Sequence, residues 1–495
     1  MKTLPVCFAL LPLIAGAATA ALAQEAQVQV QSAPDPAGDA IVSGVAALEP
    51  RLAGMANDVW SWAEIGFKET KSAGRLRGEL QQAGFRVRNG VAGMPTAFIA
   101  EAGSGGPVIA LLAEFDALPG LAQAAVPAHS PIEGQAAGHA CGHNLLGAAS
   151  VTAAIAIKNW LAAQGLPGTV RLYGTPAEEG GFAKVYMVRD GLFNDVDVTL
   201  SWHPGDRNST TPSRSLAMIS GKFTFTGVAS HASVAPERGR SALDGVEVMN
   251  VAANFLREHV PQTTRIQYVI TRGGDQPNIV PAMAQNFYFV RSPDAATLRD
   301  VWSRIVKASE GAALATGTAV SHEVLSGAYD TLPNVALNTV MHDSLARVGG
   351  YAYTSDEAAY AAQIVTTYTG AGPGRVTSPG DPAAIEPMGP PRQGFASSDV
   401  GDVSWVTPTA TLSTATFVRG TSAHSWQAAA TSGTTIGVKG ALVAAKTIAL
   451  AATRLYRDPA LIDAARKEFA ERRGDGFAYT SLLGDRAPAL DYNER

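Results

Sequence analysis

The sequence predicts an α/β protein with a compact α+β unit inserted into an open-sheet domain, and three observations predict it. The chain has 495 residues, which at roughly 100 to 200 residues per domain calls for two or three of them. Apolar, β-branched runs that stop at Gly, Pro or acidic residues alternate with Ala-rich stretches, as strands and helices do in an open α/β sheet. From about Ser213 the texture changes to alternating strands set around two amphipathic helices.

Taken in order, residues 1–23 carry one basic residue, Lys2, a short small-residue apolar stretch and Ala21-Leu22-Ala23. This is the pattern of an export signal cleaved near Ala23, with a periplasmic or secreted product. Residues 24–38 form a flexible leader. The open-sheet domain begins over 39–212. There a strand from Val108 to Leu112 runs into Glu114 and Asp116, another from Val170 to Tyr173 leads to Glu178 and Glu179, and "DVTLSWHPG" delivers His203. Ligands in open sheets sit beyond the carboxyl ends of strands, so these tips are expected to share one crevice.

Residues 213–331 read as a strand, a turn, a helix from Ser241 to His259, two strands in "TRIQYVITRGGDQPNIVPAMAQNFYFVRSP" and a helix in "DAATLRDVWSRIVKASEGAALATG". This β-α-β-β-α unit is consistent with an inserted ferredoxin-like domain. The first domain resumes over 332–475, with an irregular excursion from 349 to 393, a strand in "VSWVTPTATLSTATFV", His424, and a helix in "GVKGALVAAKTIALAATRLY". Lys439 and Lys446 argue against a membrane span in that helix. Residues 476–495 are a tail. No repeat, P-loop or dinucleotide fingerprint is evident.

A net charge of −5 and the lack of any long Lys/Arg run leave no basic footprint, which excludes nucleic acid and anionic membrane as expected partners. The chain has two cysteines. Loss of Cys7 with the signal would leave Cys141 alone in an oxidising compartment, so no internal disulfide is possible there. A lone thiol in that setting is expected to be buried or metal-bound, and in "GHACGHN" two histidines flank it. A two-metal hydrolytic centre needs mixed N, O and S donors and a free carboxylate to take a proton. Cys141 and His143 in a Gly-bounded turn, the Glu178–Glu179 pair, and His203 and His424 after their strands offer that set.

The segments "AEFDALPGL", "GHACGHNLLG", "GTPAEEGG", "SWHPG", "GVASHA", "GRSALD", "QPNIVP", "SSDVGDVSW" and "AHSWQ" together resemble the M20 family of dimetal peptidases and amidohydrolases, in the branch where a Cys-x-His pair supplies ligands. Asn144 stands where many relatives have Asp. The resemblance implies a dimetal aminopeptidase-like catalytic domain with an inserted domain that dimerises and closes over the site. It implies two divalent ions, Zn or Mn, held by Cys141, His143, Glu179, His203 and His424, with Glu178 as general base. His231 matches a histidine that stabilises the oxyanion, often from the partner subunit.

Asn278 resembles a substrate-holding position, although it could equally shape a turn. Arg240 and Arg291 are candidates for gripping a substrate carboxylate. Asp116, His139 and Asp399 are candidates behind the ligands, with a direct ligand as the alternative for His139, and Glu114 occupies the place of a ligand histidine found in other branches. Asp399 and Asp402 either line the pocket or cap a helix.

The expected function is hydrolysis of the amide of an N-acyl or N-aroyl amino acid by a homodimer, or by a heteromer with a related subunit as in a two-subunit member of the branch. A dipeptidase or aminoacylase with another side-chain pocket, a metal-bound non-catalytic partner subunit, and a structural zinc site in a binding protein are the rival readings. The export signal departs from the cytoplasmic setting that the resemblance implies.

Overall fold

The computed structural model describes residues 35–369 and 376–493. The export signal and most of the leader therefore lie outside the described residues. Within the assigned leader, the helix Pro36–Ala46 has already begun.

Among the described residues the larger sheet has six strands, in the order Arg86–Asn89, Phe98–Ser104, Gly168–Gly174, Val108–Ala113, Val198–Gly205, Thr409–Ala415. The last four run parallel and the first two are antiparallel additions at one edge. Alternation along the strands explains why they are apolar throughout. Ile109 and Leu111 face one core cluster while Ala110 and Leu112 face another, because successive side chains of a strand point to opposite faces and helices cover both.

One face is covered by the helices His143–Gln164 and Thr435–Arg457. These two are long and apolar enough to cross a membrane, yet they are largely buried inside the fold. Their Ala and Gly content lets them pack closely: at Gly440 an added Cβ would lie 2.4 Å from the Ala415 carbonyl oxygen.

The second sheet is antiparallel, in the order Arg265–Arg272, Met283–Ser292, Ala217–Thr226, Ala319–Ala328, with helices Ala242–Leu256 and Ala295–Thr316 packed on it. Ser241 and Asp294 cap these helices, each accepting a backbone N–H three residues on, and Gly317 ends the second in the left-handed region. The unit is a complete β-α-β-β-α-β. Its fourth strand, "AVSHEVLSGA", is a finding beyond the expected five elements; its outer half is exposed, so it lacks the apolar alternation that marks a half-buried strand.

Two further details differ from the sequence reading. The expected excursion over 349–393 contains the helix Ser355–Thr366, started by a Thr354–Glu357 capping box. Residues Val400–Ser404 are a short helix, not the start of the strand, which begins at Thr409. The C-terminal tail is packed on the rest of the chain. Tyr479 donates its hydroxyl to Asp402 at 2.6 Å, and Tyr492 meets Phe67 edge-on with ring centroids 5.8 Å apart.

The outer side of the helix Ala242–Leu256 exposes Val248, Val251 and Phe255, and the adjacent edge strand exposes Val269 and Ile270.

Candidate active site

The carboxyl ends of the three central parallel strands open onto one cavity of about 500 Å3. Past Ala113 the chain supplies Glu114 and Asp116, both buried. Past Gly174 it makes a turn in which Ala177 takes a left-handed φ of 55°, and Glu178 and Glu179 follow. His203 sits near the end of Val198–Gly205. The loop before His143–Gln164 brings Cys141, and His424 arrives on a loop tied to it, its N–H donating to the Ala140 carbonyl at 2.9 Å. Gly142 makes the junction possible. It has φ +77°, and a Cβ there would lie 2.8 Å from Pro204, next to His203.

Donor atoms gather in three groups, each with all members within 4.8 Å of one another: Cys141, His143 and His203; Cys141, Glu179 and His424; and Glu114, His143 and Glu178. Cys141 belongs to the first two, so one sulphur stands between two candidate ion positions. The histidine tautomers suit ligation. His203 Nδ1 donates to the Pro204 carbonyl at 2.8 Å, leaving Nε2 with a lone pair 3.4 Å from Cys141 Sγ. His143 Nδ1 lies 2.9 Å from Asp116 Oδ1, and its Nε2 is buried without a hydrogen-bond partner. His424 Nε2 is 3.3 Å from Glu179 Oε2, while Glu179 Oε1 is a second buried orphan.

These observations fit a metal. Two donors that each lie about 2.0 to 2.3 Å from one ion, at an angle between tetrahedral and octahedral, are separated by roughly these spacings. Mixed thiolate, imidazole and carboxylate donors suit a divalent transition-metal ion.

The charges respond to burial and to one another. Burial, with Glu114, Glu179 and Asp399 nearby, raises the Glu178 carboxyl well above the usual range. Burial and Glu179 push the Cys141 thiol up as well. On Asp116 burial pushes upward too, yet the adjacent His143 outweighs it and holds the carboxyl below the ordinary value. Burial lowers His203, which favours the neutral imidazole that a ligand needs.

His139 lies outside the donor groups. It is buried, its Nε2 is 3.0 Å from the Val59 carbonyl oxygen, and burial lowers its pKa to about 3. Asp116 bridges His143 and the Glu179 N–H, which it accepts at 3.0 Å. Asp399 neither lines the cavity nor caps the short helix that follows it; its carboxylate accepts from Lys184 Nζ at 2.6 Å. Asp402 accepts the Tyr329 N–H at 2.9 Å.

Of the candidate residues on the inserted unit, only Arg291 reaches the cavity wall, with its Nε buried and unpartnered. Arg240 instead donates to the Glu237 and Gly239 carbonyls, and His231 and Asn278 lie together on an exposed loop pair outside the cavity of this chain. His231 Nδ1 accepts from the N–H groups of Ser233 and Val234 at 3.2 and 3.3 Å, so its Nε2 carries the proton and faces outward as a donor.

Sequence reasoning missed Lys184 and Glu69. Lys184 is fully buried; its signal was a lone cation inside the apolar run "FAKVYMV". Glu69 is buried too and accepts the Ala177 N–H at 2.8 Å, holding the turn that carries Glu178; nothing in "GFKETKS" marks it.

A parallel α/β core with an inserted ferredoxin-like unit, and a donor-lined cavity at its strand ends, defines a hydrolase of the metallopeptidase class. Comparison with known proteins narrows this. Residues 217–316 match the peptidase dimerisation domain of the M20 peptidases. The chain is 40% identical over 442 residues to one of the two subunits of the p-aminobenzoyl-glutamate hydrolase of Escherichia coli (strain K12), covering 84% of this chain and 92% of that protein. It is 29% identical over 436 residues to the Xaa-Arg dipeptidase of Mus musculus, covering 85% and 89%. Its fold is shared with a dinuclear metal-binding peptidase of the M20 family from Bacillus subtilis, with a TM-score of 0.55 and 18% identity over 83% of this chain and 99% of the other. The chain belongs to the M20 family and is an enzyme of its hydrolase type.

Proposed function

We propose that the chain hydrolyses the amide of N-acyl or N-aroyl amino acids, p-aminobenzoyl-glutamate among them, at a centre of two Zn or Mn ions. The observation that carries this reading is the convergence of Cys141, His143, Glu179, His203 and His424 on one cavity that also receives Glu178 and Arg291. The likeness to the Escherichia coli p-aminobenzoyl-glutamate hydrolase supports the substrate class.

Cys141, His143 and His203 would hold one ion, and Cys141, Glu179 and His424 the other. Ions held there would supply an activated water and polarise the scissile carbonyl. Glu178 takes the proton of the attacking water and passes it to the leaving amine nitrogen. Arg291, which lines the cavity with its Nε unpartnered while another guanidinium nitrogen donates to Gln267 at 2.7 Å, grips the carboxylate of the amino-acid half. His231 donates from Nε2 to the oxyanion in the cavity of a second copy, since it lies outside the cavity of its own chain.

Dimerisation through the inserted unit follows from its exposed apolar face. Both subunits of the Escherichia coli hydrolase are similar to this chain, which leaves a heteromer as the other assembly. Export through residues 1–23 would place the enzyme in the periplasm or outside the cell.

A dipeptidase of the same machinery is the second reading, favoured by the likeness to the Xaa-Arg dipeptidase. Purified chain, loaded with Zn or Mn and assayed alone on p-aminobenzoyl-glutamate, N-acyl amino acids and dipeptides, separates the two. Release of p-aminobenzoate is expected, and turnover of dipeptides alone would favour the second. Glu178→Gln is expected to keep its metals and lose about 10^2- to 10^4-fold in kcat. Unchanged activity removes the base assignment. Loss of folding on chelation, with no turnover by the loaded protein, would point to a structural metal instead.

A further inference from the structure

The turn that carries Glu178 and Glu179 is bounded by two residues in the left-handed region, Ala177 and Phe182, each with φ 55°. The Ala177 carbonyl accepts the N–H groups of Gly181 and Phe182 at 2.9 and 2.8 Å. Residues other than glycine rarely adopt such a φ, so the conformation persists only where its surroundings hold it. Glu69 is one hold, accepting the Ala177 N–H at 2.8 Å. The ring of Tyr492 lies against the same turn. A Cβ added at Gly180 would fall 2.6 Å from Tyr492 Cε2, and one at Gly66 would overlap the Tyr492 hydroxyl and lie 2.8 Å from Ala177 Cβ. Phe67, which meets Tyr492 edge-on, would stand 2.5 Å from a Cβ at Gly181. Glycine at 66, 180 and 181 is what lets the two rings close on the turn.

The segment 477–493 is anchored on both domains on its way to this position. Phe477, Tyr479 and Leu482 pack on the core of the inserted unit, and the Thr480 carbonyl accepts from Arg299 Nη2 at 2.7 Å and from the Tyr329 hydroxyl at 2.9 Å. Leu483 and Leu490 then join the core cluster that contains Ala177 and Phe182. Arg189 Nη1 donates to the Arg486 carbonyl at 2.7 Å, while the Arg486 side chain reaches Glu323 of the inserted unit at 3.2 Å. Asn493 Nδ2 donates to the Gly66 carbonyl at 3.4 Å, next to the Tyr492 ring.

We propose that Tyr492 is a positioning residue for the Glu178–Glu179 turn, and that residues 477–493 are the brace that holds its ring there from the inserted unit. The inference rests on the reading of Glu178 as base and Glu179 as donor, and adds to it. The ring fills the space behind Gly180, so a turn with two left-handed residues cannot relax away from the cavity that both carboxylates line. Without the ring a void opens there, and the turn is free to carry Glu179 from His424, now 3.3 Å away, and Glu178 from the attacking water. Cys141, His143 and His203 stand on other segments and keep their places.

The test compares the full-length wild type with Tyr492→Ala, Tyr492→Phe and Arg299→Ala. A fourth variant, Ile462→Ala, empties a buried site in a different core cluster and serves as a control for lost stability alone. Each is read by hydrogen exchange at the Gly181 and Phe182 amides, by Zn2+ titration against a chromophoric competitor, and by kinetics on p-aminobenzoyl-glutamate. Tyr492→Ala is expected to speed exchange at those two amides by about tenfold or more. It should weaken one of two ions by about 10- to 100-fold and lower kcat by a similar factor, with KM little changed. Tyr492→Phe keeps the ring and should match wild type; Arg299→Ala, which frees one anchor of the brace, should shift the same readouts less. Ile462→Ala should lower the melting temperature and leave all three where they were. Unchanged exchange, ion affinity and kcat in folded Tyr492→Ala, or equal losses in Ile462→Ala, would overturn the proposal while leaving the two-ion reading intact. A wild-type chain that takes up no ion and turns over no amide would overturn both.

Discussion

Cys141 couples the site to pH. Burial, reinforced by Glu179, pushes its thiol pKa up, so the folded chain carries the proton at neutral pH and an ion that takes the sulphur must displace it. Affinity is therefore expected to rise with pH, by about tenfold per unit for each proton released, for as long as the pH stays below the thiol's pKa. Titrations in two buffers of different ionisation enthalpy would count that proton, and a pH-independent Kd would contradict the assignment of sulphur as a donor. His203 adds nothing to this slope, because burial lowers its pKa and Nδ1 is committed to the Pro204 carbonyl. His143, which Cys141 and Asp116 raise well above the ordinary imidazole value against the effect of burial, carries a second proton that the ion must displace.

At the scale of the element, the donors depend on how strands end and helices begin. The strands Val108–Ala113, Gly168–Gly174 and Val198–Gly205 are legible as apolar runs, and each stops where the sequence turns acidic or Pro-rich. The start of His143–Gln164 is the tighter constraint, because Gly142 lies against Pro204 and so sets the distance from the Cys141–His143 loop to His203. Gly142→Ala is expected to cost about 1 to 3 kcal/mol through its positive φ and that contact. Cys141 and His143 would move away from His203 together, so metal affinity should fall more than the melting temperature suggests. Calorimetry alongside metal titration would measure both; normal metal affinity in a destabilised variant would show that the junction tolerates the shift.

At the scale of the whole molecule, His231 and Asn278 stand outside the cavity of their own chain while the inserted unit exposes Val248, Val251, Phe255, Val269 and Ile270. If the surface joins two copies so that His231 enters the neighbour's cavity, mixing inactive Glu178→Gln and His231→Ala proteins under exchange should restore activity. One intact site forms in each mixed dimer, giving about a quarter of wild-type activity when pairing is random. No recovery, with mixed dimers present by mass, would place His231 outside catalysis or within its own subunit. Phe255→Asp should prevent association without disturbing the core, since the ring is 64% exposed; sedimentation would measure it.

The α/β class, the inserted unit, and the residue types able to bind metal were all legible in the sequence, because periodicity and turn chemistry are local properties that survive without tertiary context. Motifs such as "GHACGHN" and "GTPAEEGG" marked the donor-bearing loops for the same reason. What the sequence could not supply was proximity. The sharing of Cys141 by two donor groups, the burial of Lys184 between Glu114 and Asp399, and the hold of Glu69 on the Ala177 turn all join residues far apart in the chain. A charged side chain in an apolar run has no fixed meaning until the fold removes water from it and sets a partner at 2.6 to 2.8 Å, and that desolvation is a property of packing alone.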